Sequence, residues 1–155
     1  MPEPRIRPAE AADLAPIERI VRDAYTRYIE RMGKPPGPML DDYRRRIREH
    51  AIWVLEQAGA VVAALVLIPE SDHLLLDNIV VDPAQQGKGL GRRLMDFAEA
   101  EARRRGYDEI RLYTHQTMTE NIAMYRRLGY EETGRGAQAG YERVFLRKRL
   151  PPSGI

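Results

Sequence analysis

VVDPAQQGKGLGRRL, residues 80–94, carries an apolar run into a turn with glycines at 87, 89 and 91 and then into a basic, helix-prone segment. A strand, a glycine-rich turn and a helix start, in that order, predict backbone N–H groups aimed at an anion. The first turn of a helix has no acceptors of its own for them. Glycine in that first turn costs roughly 1 kcal/mol relative to alanine, so Gly91 asks for a reason. A ligand that approaches the backbone closely supplies one, because side chains at 87, 89 and 91 would hold it off. Two familiar phosphate loops fail on spacing. A Walker A loop needs G-x-x-x-x-G-K-[ST], whereas Gly87-Lys88 is followed by Gly89, with no hydroxyl for Mg²⁺. A dinucleotide fingerprint begun at Gly87 puts Arg92 where its third glycine belongs.

The bulk numbers exclude several function classes. A length of 155 residues is one domain's worth, with room for a core. At 43% hydrophobic and 31% charged, the composition is that of an ordinary globular protein. The 25 Lys and Arg stand against 23 Asp and Glu, a formal charge of +2. That balance does not point to nucleic acid, and no basic run is interleaved with aromatic residues as strand-binding surfaces require. Local clusters at residues 44–46, 92–93, 103–105 and 147–149 suit either a phosphorylated small ligand or solvated helix faces. There is no cysteine, hence no disulfide, thiolate–zinc site or cysteine nucleophile. His50, His73 and His115 lack metal-ligand spacing, so no metal is predicted. MPEPRIRPAE (1–10) has no apolar signal region, and the longest apolar run, 60–68, is about half of what a membrane span needs. The expectation is a cytoplasmic protein with no membrane partner.

Periodicity orders the rest. RIRPAE (5–10) reads as a short edge strand halted by Pro8. AEAADLAPIERIVRDAY (9–25) has Leu14, Ile17, Ile20 or Val21, and Ala24 on one helical face. RMGKPPGPML (31–40) is too dense in proline and glycine for a helix or central strand and reads as a loop. DDYRRRIREH (41–50) restarts a helix behind an acidic cap. Residues 51–69 read as two strands about a turn at 57–59, and HLLLDNIVVDP (73–83) as another strand. GLGRRLMDFAEAEARRRG (89–106) is a helix with Leu90, Leu94, Phe97, Ala98 and Ala102 on one face and Gly106 as its stop. DEIRLYTHQ (108–116) alternates as a strand, and TENIAMYRRLG (119–129) is a short helix. YEETGR and YERVFLRKRL form a terminal pair around GRGAQAG (134–140). No repeat or linker interrupts the chain. Residues 1–150 therefore read as one α/β domain, a mixed sheet covered by helices, and 151–155 as a tail.

Gln86, Gly89 and Gly91 satisfy Q-x-x-G-x-G directly behind Asp82-Pro83. This resembles the acetyl-CoA signature, [RQ]-x-x-G-x-[GA], of the GNAT superfamily of N-acetyltransferases. LDNIVVDPAQQGKGLGRRLM (76–95) is similar to that superfamily's fourth strand and third helix. LYTHQTMTENIAMYRRLGYEETGR (112–135) is similar to its fifth strand, fourth helix and sixth strand, whereas the first sixty residues match in pattern only. The resemblance implies a mostly antiparallel mixed sheet of about six to seven strands with a V-shaped splay between strands 4 and 5, flanked by about four helices. It also implies transfer of an acetyl group from acetyl-CoA to an amine by direct attack on the thioester, with no metal. The acceptor would be a small molecule or a peptide or protein amine, and a homodimer is allowed. A non-catalytic CoA-binding sensor module of the same fold is the alternative.

The resemblance assigns roles by position. The backbone of Ile79, Val80 and Val81 would pair with the pantetheine arm, and the pyrophosphate would sit over Gln86, Gly87, Lys88, Gly89, Leu90, Gly91 and Arg92. Tyr125 would be the general acid toward the departing thiolate; its ordinary pKa of about 10, against about 8.5 for a thiol, keeps it protonated at pH 7. The alternative for Tyr125 is a core stripe with Ile122 and Leu128. Asn121 is a coenzyme contact only if a departure is accepted, because many members place an asparagine where this chain has Met118. Thr117 and Glu120 also satisfy a capping box. Asp77, out of place in LLLDNIVV, leads the candidates for the base, or else it only satisfies backbone at the splay. Tyr113 and His115, at the end of the fifth strand, are further candidates for the base and for contact with the acceptor. The segment between the first two helices offers Tyr25, Tyr28, Arg31, Met39, Asp42 and Tyr43 as acceptor contacts beside a stiff loop, or is merely a connection.

Overall fold

A computed structural model describes residues 3–151, so only Pro151 of the expected tail lies among the described residues. The strands are β1 (Arg5–Pro8), β2 (Ile52–Gln57), β3 (Ala60–Pro69), β4 (Leu74–Val81), β5 (Glu109–His115), β6 (Glu131–Gln138) and β7 (Tyr141–Arg149). The helices are α1 (Leu14–Tyr25), the single turn α2 (Ile29–Met32), α3 (Tyr43–Arg48), α4 (Leu90–Arg104) and α5 (Thr119–Arg127). The sheet runs β1-β2-β3-β4-β5-β7-β6, with β4 and β5 parallel and the β1–β2, β2–β3, β5–β7 and β6–β7 pairs antiparallel. Its residues group into two compact units: one runs to Leu67 and adds Asn78–Phe97, and the other holds Ile68–Asp77 and the chain from Ala98 onward. Among the described residues no helix is long and apolar enough to cross a membrane.

In the first unit, α1 buries Ile17, both Ile20 and Val21, and Ala24, the stripe its spacing predicts. The helical path then continues through a 3₁₀ turn and α2, farther than the proline count suggests, until Gly33 stops it at φ +74°. Asp42 caps α3 by accepting the Arg45 N–H. β2 and β3 bury residues on both faces, as a covered sheet requires. Arg7 ties the edge strand down. Its guanidinium meets Glu56 of β2 at 2.7 Å and both carboxylate oxygens of Asp13, at 2.8 and 3.1 Å. Asp13 also accepts the Glu10 N–H at 2.7 Å.

In the second unit, Ile110, Leu112 and Thr114 of β5 and Val144 and Leu146 of β7 alternate inward. The parallel ladder pairs Leu74, Leu75 and Leu76 with Ile110, Arg111 and Leu112. The next residues, Asp77 and Tyr113, meet through their side chains instead. The Gly-rich stretch departs from expectation. β6 runs through most of it to Gln138, and only Ala139 and Gly140 make the turn, at φ +53° and +81°. Two residues at positive φ suit a tight hairpin, and the ladder to β7 outweighs the weak strand propensity of Gly134 and Gly136.

The Arg7 guanidinium holds the Asp13 carboxyl below its ordinary range. Stability from this group is therefore present above the unfolded value of about 3.9 and is lost as pH falls through the lower folded value. Asp13→Asn should cost on the order of 2 kcal/mol at neutral pH. In urea titrations at several pH values, the gap to wild type should close in strong acid.

Candidate functional site

Strand β4 delivers the chain to the glycine turn in the first unit. Asp82 ends the strand and caps the 3₁₀ turn Pro83–Gln85 by accepting the Ala84 N–H at 3.0 Å. Gly87 and Gly89 then take φ of +83° and +79°, which L residues with side chains rarely adopt. The first helical bond of α4 runs from the Arg93 N–H to the Gly89 carbonyl at 3.2 Å. Among the described residues the N–H groups of Leu90, Gly91 and Arg92 therefore have no backbone acceptor, and they stand at the positive end of a fifteen-residue helix. Lys88 bonds Gln85, and Arg92 bonds Asp96 along the exposed helix face.

The three glycines are not equivalent. Nothing lies within 4 Å of a Cβ built on Gly87 or Gly89; there the backbone conformation itself requires glycine. At Gly91 the φ is ordinary, and a Cβ would only touch Val81 Cγ2 at 3.9 Å. At 87 and 89 the positive φ asks for glycine whatever else approaches the turn. Only at 91 is there neither strain nor crowding to account for glycine.

Two carbonyls of β4 have side-chain partners. Tyr25 donates to Asn78 Oδ1 at 2.7 Å and more weakly to the Ile79 carbonyl at 3.2 Å. Gln86 Nε2 donates to the Val81 carbonyl at 3.4 Å. Asn78 Nδ2 donates in turn to the Tyr43 hydroxyl at 3.1 Å, and that hydroxyl donates to the Pro38 carbonyl of the Pro-rich loop. Tyr43 is thereby buried framework. Tyr28 is buried as well, with the Arg27 and Arg31 guanidiniums 4.8 and 5.0 Å from its ring centre. Arg31 is exposed and Met39 partly so.

The second unit carries the titratable candidates. Tyr113 donates to Asp77 Oδ1 at 2.7 Å. His115 Nδ1 accepts the Thr117 backbone N–H at 3.1 Å, which puts the proton of the neutral ring on Nε2. Met118, not Thr117, is the N-cap of α5, and the Thr117 hydroxyl lies 2.9 Å from His115 Nδ1. Asn121 turns its amide toward the Met118 sulfur. Tyr125 is 6% exposed, and burial pushes its phenol up to about 12. Among the described residues its hydroxyl has no hydrogen-bond partner, and no fully buried side-chain polar atom is left unsatisfied. The hydroxyl must therefore reach accessible surface while the ring is packed, edge-on to Tyr130 at 6.1 Å.

Several residues escape a reading of the sequence. Tyr130 points its hydroxyl at Glu99, whose carboxylate is held by Lys148 at 3.0 and 3.2 Å. Arg143 lays its guanidinium 4.1 Å from the Tyr113 ring centre. Glu99 had a weak signal, an acid on the apolar face of α4; Arg143 had none. Among the described residues no group of three or more His, Asp or Glu could hold a metal ion.

The family model described as acetyltransferase (GNAT) matches residues 15–130. The uncharacterised N-acetyltransferase YjgM of Escherichia coli K12 is 31% identical over 137 residues, which is 83% of this chain and 82% of its own. The crystal structure of the ribosomal-protein-S18-alanine N-acetyltransferase from Escherichia coli superposes with a TM-score of 0.77 at 24% identity, covering 98% of this chain and 97% of that one. The paiA N-acetyltransferase of Thermoplasma acidophilum, in complex with coenzyme A, gives 0.74 at 16% identity, with coverages of 96% and 99%. At those identities the two structures share the fold.

The glycine asymmetry is measurable by chemical denaturation. Gly89→Ala should destabilise by about 1–2 kcal/mol, since alanine resists positive φ. Gly91→Ala should be neutral or stabilise by up to about 1 kcal/mol.

Proposed function

The chain belongs to the GNAT acetyltransferase family, and from that premise we propose that it moves the acetyl group of acetyl-CoA onto an amine by direct attack on the thioester, with no acetylated enzyme intermediate. The observation that carries this reading is the start of α4, where three N–H groups without backbone acceptors stand beside Gly87 and Gly89. A pyrophosphate over Gln86 to Arg92 would accept those bonds and meet the helix's positive end. Gly91 then has its explanation, because a methyl group there would stand between the phosphate and the backbone. The bonds to the Ile79 and Val81 carbonyls are long, at 3.2 and 3.4 Å. A pantetheine amide can compete with them for the backbone of Ile79, Val80 and Val81.

Acetyl-CoA supplies a thioester whose attack by a neutral amine releases a thiolate. Asp77 takes the proton from the amine, directly or through a water, and Tyr113 fixes the carboxylate by its hydrogen bond. Tyr125 gives its proton to the departing sulfur. A phenol held near 12 is fully protonated at neutral pH and loses that proton only to a base generated beside it. Asn121 and His115 contribute polar contacts near the end of β5. Arg31 and Met39 serve the acceptor, whereas the buried Tyr28 and Tyr43 hold the segment that carries them. The acceptor is an amine of a small molecule or of a peptide or protein.

Calorimetry should detect acetyl-CoA binding, and an amine panel followed by thiol release should reveal transfer. Tyr125→Phe and Asp77→Asn should each lower kcat by about 10²-fold or more while acetyl-CoA still binds. Gly91→Ala, for all its stability, should bind acetyl-CoA more weakly. A protein that does not bind acetyl-CoA would overturn the proposal, and an undiminished Tyr125→Phe would remove the acid from Tyr125.

A further inference from the structure

Tyr113 belongs to two arrangements at once. Its hydroxyl holds Asp77, and its ring helps line a cleft of about 490 Å³ in the second unit, together with His73, Leu75, Arg111, Phe145 and Arg147. That volume falls within the range of small-molecule sites. The ladder registers order the lining. Phe145 lies beside Tyr113 and Arg147 beside Arg111, two residues farther from Asp77 along β5. Leu75 precedes Asp77 by two residues on β4, so roughly 7 Å of strand separate them. The cleft thus has Tyr113 and Phe145 beside the carboxylate, and at its next level Leu75, on β4, stands beside Arg111 and Arg147, so that its apolar lining continues along β4 while the charges lie across from it. The Tyr113 ring is fixed there by Phe145, edge-on at 6.5 Å, and by the Arg143 guanidinium at 4.1 Å.

Those charges are compensated. Arg111 pairs with Glu109 and, at 3.7 Å, with Asp72. Arg147 lies 2.9 Å from Glu131 and 3.7 Å from Glu109, and His73 Nδ1 lies 2.7 Å from Asp72. A second ammonium or a carboxylate on the acceptor would have to break a pair to gain one. An uncharged apolar body loses nothing of the kind and covers Leu75, Tyr113 and Phe145.

The geometry points to this cleft as the acceptor subsite, and to a primary amine with an uncharged, apolar body as the class of acceptor it takes. The amine sits at Asp77 and the body lies on Leu75, Tyr113 and Phe145. This rests on the reading of Asp77 as the group that takes the amine's proton. It also makes Leu75 a specificity-determining residue, two positions from the chemistry.

Methyl NMR of Leu75 in the wild-type protein tests the inference with three amines: benzylamine, spermidine and glutamate. Benzylamine should shift the Leu75 methyl signals at concentrations at least about tenfold below those of the other two. Leu75→Trp, which fills the cleft, should weaken benzylamine binding by about tenfold or more and leave the acetyl-CoA Kd unmoved. Spermidine or glutamate acting at the lower concentration, or a Leu75 signal that benzylamine does not move, would overturn it. The wild-type measurement stands whether or not the variant folds. Failure of acetyl-CoA to bind would instead undo the acetyltransferase reading, and full turnover by Asp77→Asn would undo the role of Asp77.

Discussion

A buried amide must find hydrogen-bond partners, and Asn78 finds two tyrosines. Leaving either group unsatisfied would cost about 1–3 kcal/mol, so the positions of Tyr25 on α1 and Tyr43 on α3 are tied to one side chain on β4. Tyr43 extends the chain to the Pro38 carbonyl, which anchors a loop whose prolines have few backbone donors of their own. In the first unit, both helices are thus bonded to a single polar residue in an apolar strand, and the stiff loop is joined to it through Tyr43. The residue before it, Asp77, makes its bond in the second unit, to Tyr113. Two adjacent polar side chains in LLLDNIVV serve two separate networks, one structural and one at the candidate chemistry.

The glycine turn has two physical demands superposed on it. Gly87 and Gly89 are needed to bend the chain, because their backbone angles exclude most side chains whatever surrounds them. Gly91 is not needed for bending. Its φ is ordinary and a Cβ there would only touch Val81, while the N–H groups of Leu90, Gly91 and Arg92 have no backbone acceptor among the described residues.

Burial tunes the phenols in one direction. Tyr125 is raised to about 12 by desolvation, and Tyr130 is raised further by burial and by the carboxylate of Glu99. Neither ring ionises near neutrality, so each keeps its phenolic proton to donate. For Tyr130 the donation goes to Glu99, backed by Lys148, and it seats the ring against Tyr125. The Tyr125 hydroxyl has no hydrogen-bond partner among the described residues. The packed ring accords with the core stripe that its sequence context also allows.

Local chemistry settled a good deal before any tertiary contact was known. The apolar stripe of α1, the acidic cap on α3, a turn within 57–59, the end of β4 at Asp82-Pro83 and the glycine stop of α4 all follow from periods and turn residues, which act over a few positions. The anion-ready start of α4 follows likewise from spacing, and its motif carried the family. What the sequence could not supply depends on partners far apart in the chain. It read Tyr28 and Tyr43 as acceptor contacts, yet both are buried, Tyr43 because Asn78, thirty-five residues on, claims its hydroxyl. It read GRGAQAG as a loop, yet pairing with β7 makes most of it strand. Arg143 gave no local sign, because its position over Tyr113 exists only once β7 lies beside β5. By itself the sequence determined most of the elements and the family. Only the tertiary structure decided which polar side chains are spent on the fold and which face a cleft, because burial and hydrogen-bond partnership belong to the folded chain and not to any stretch of it.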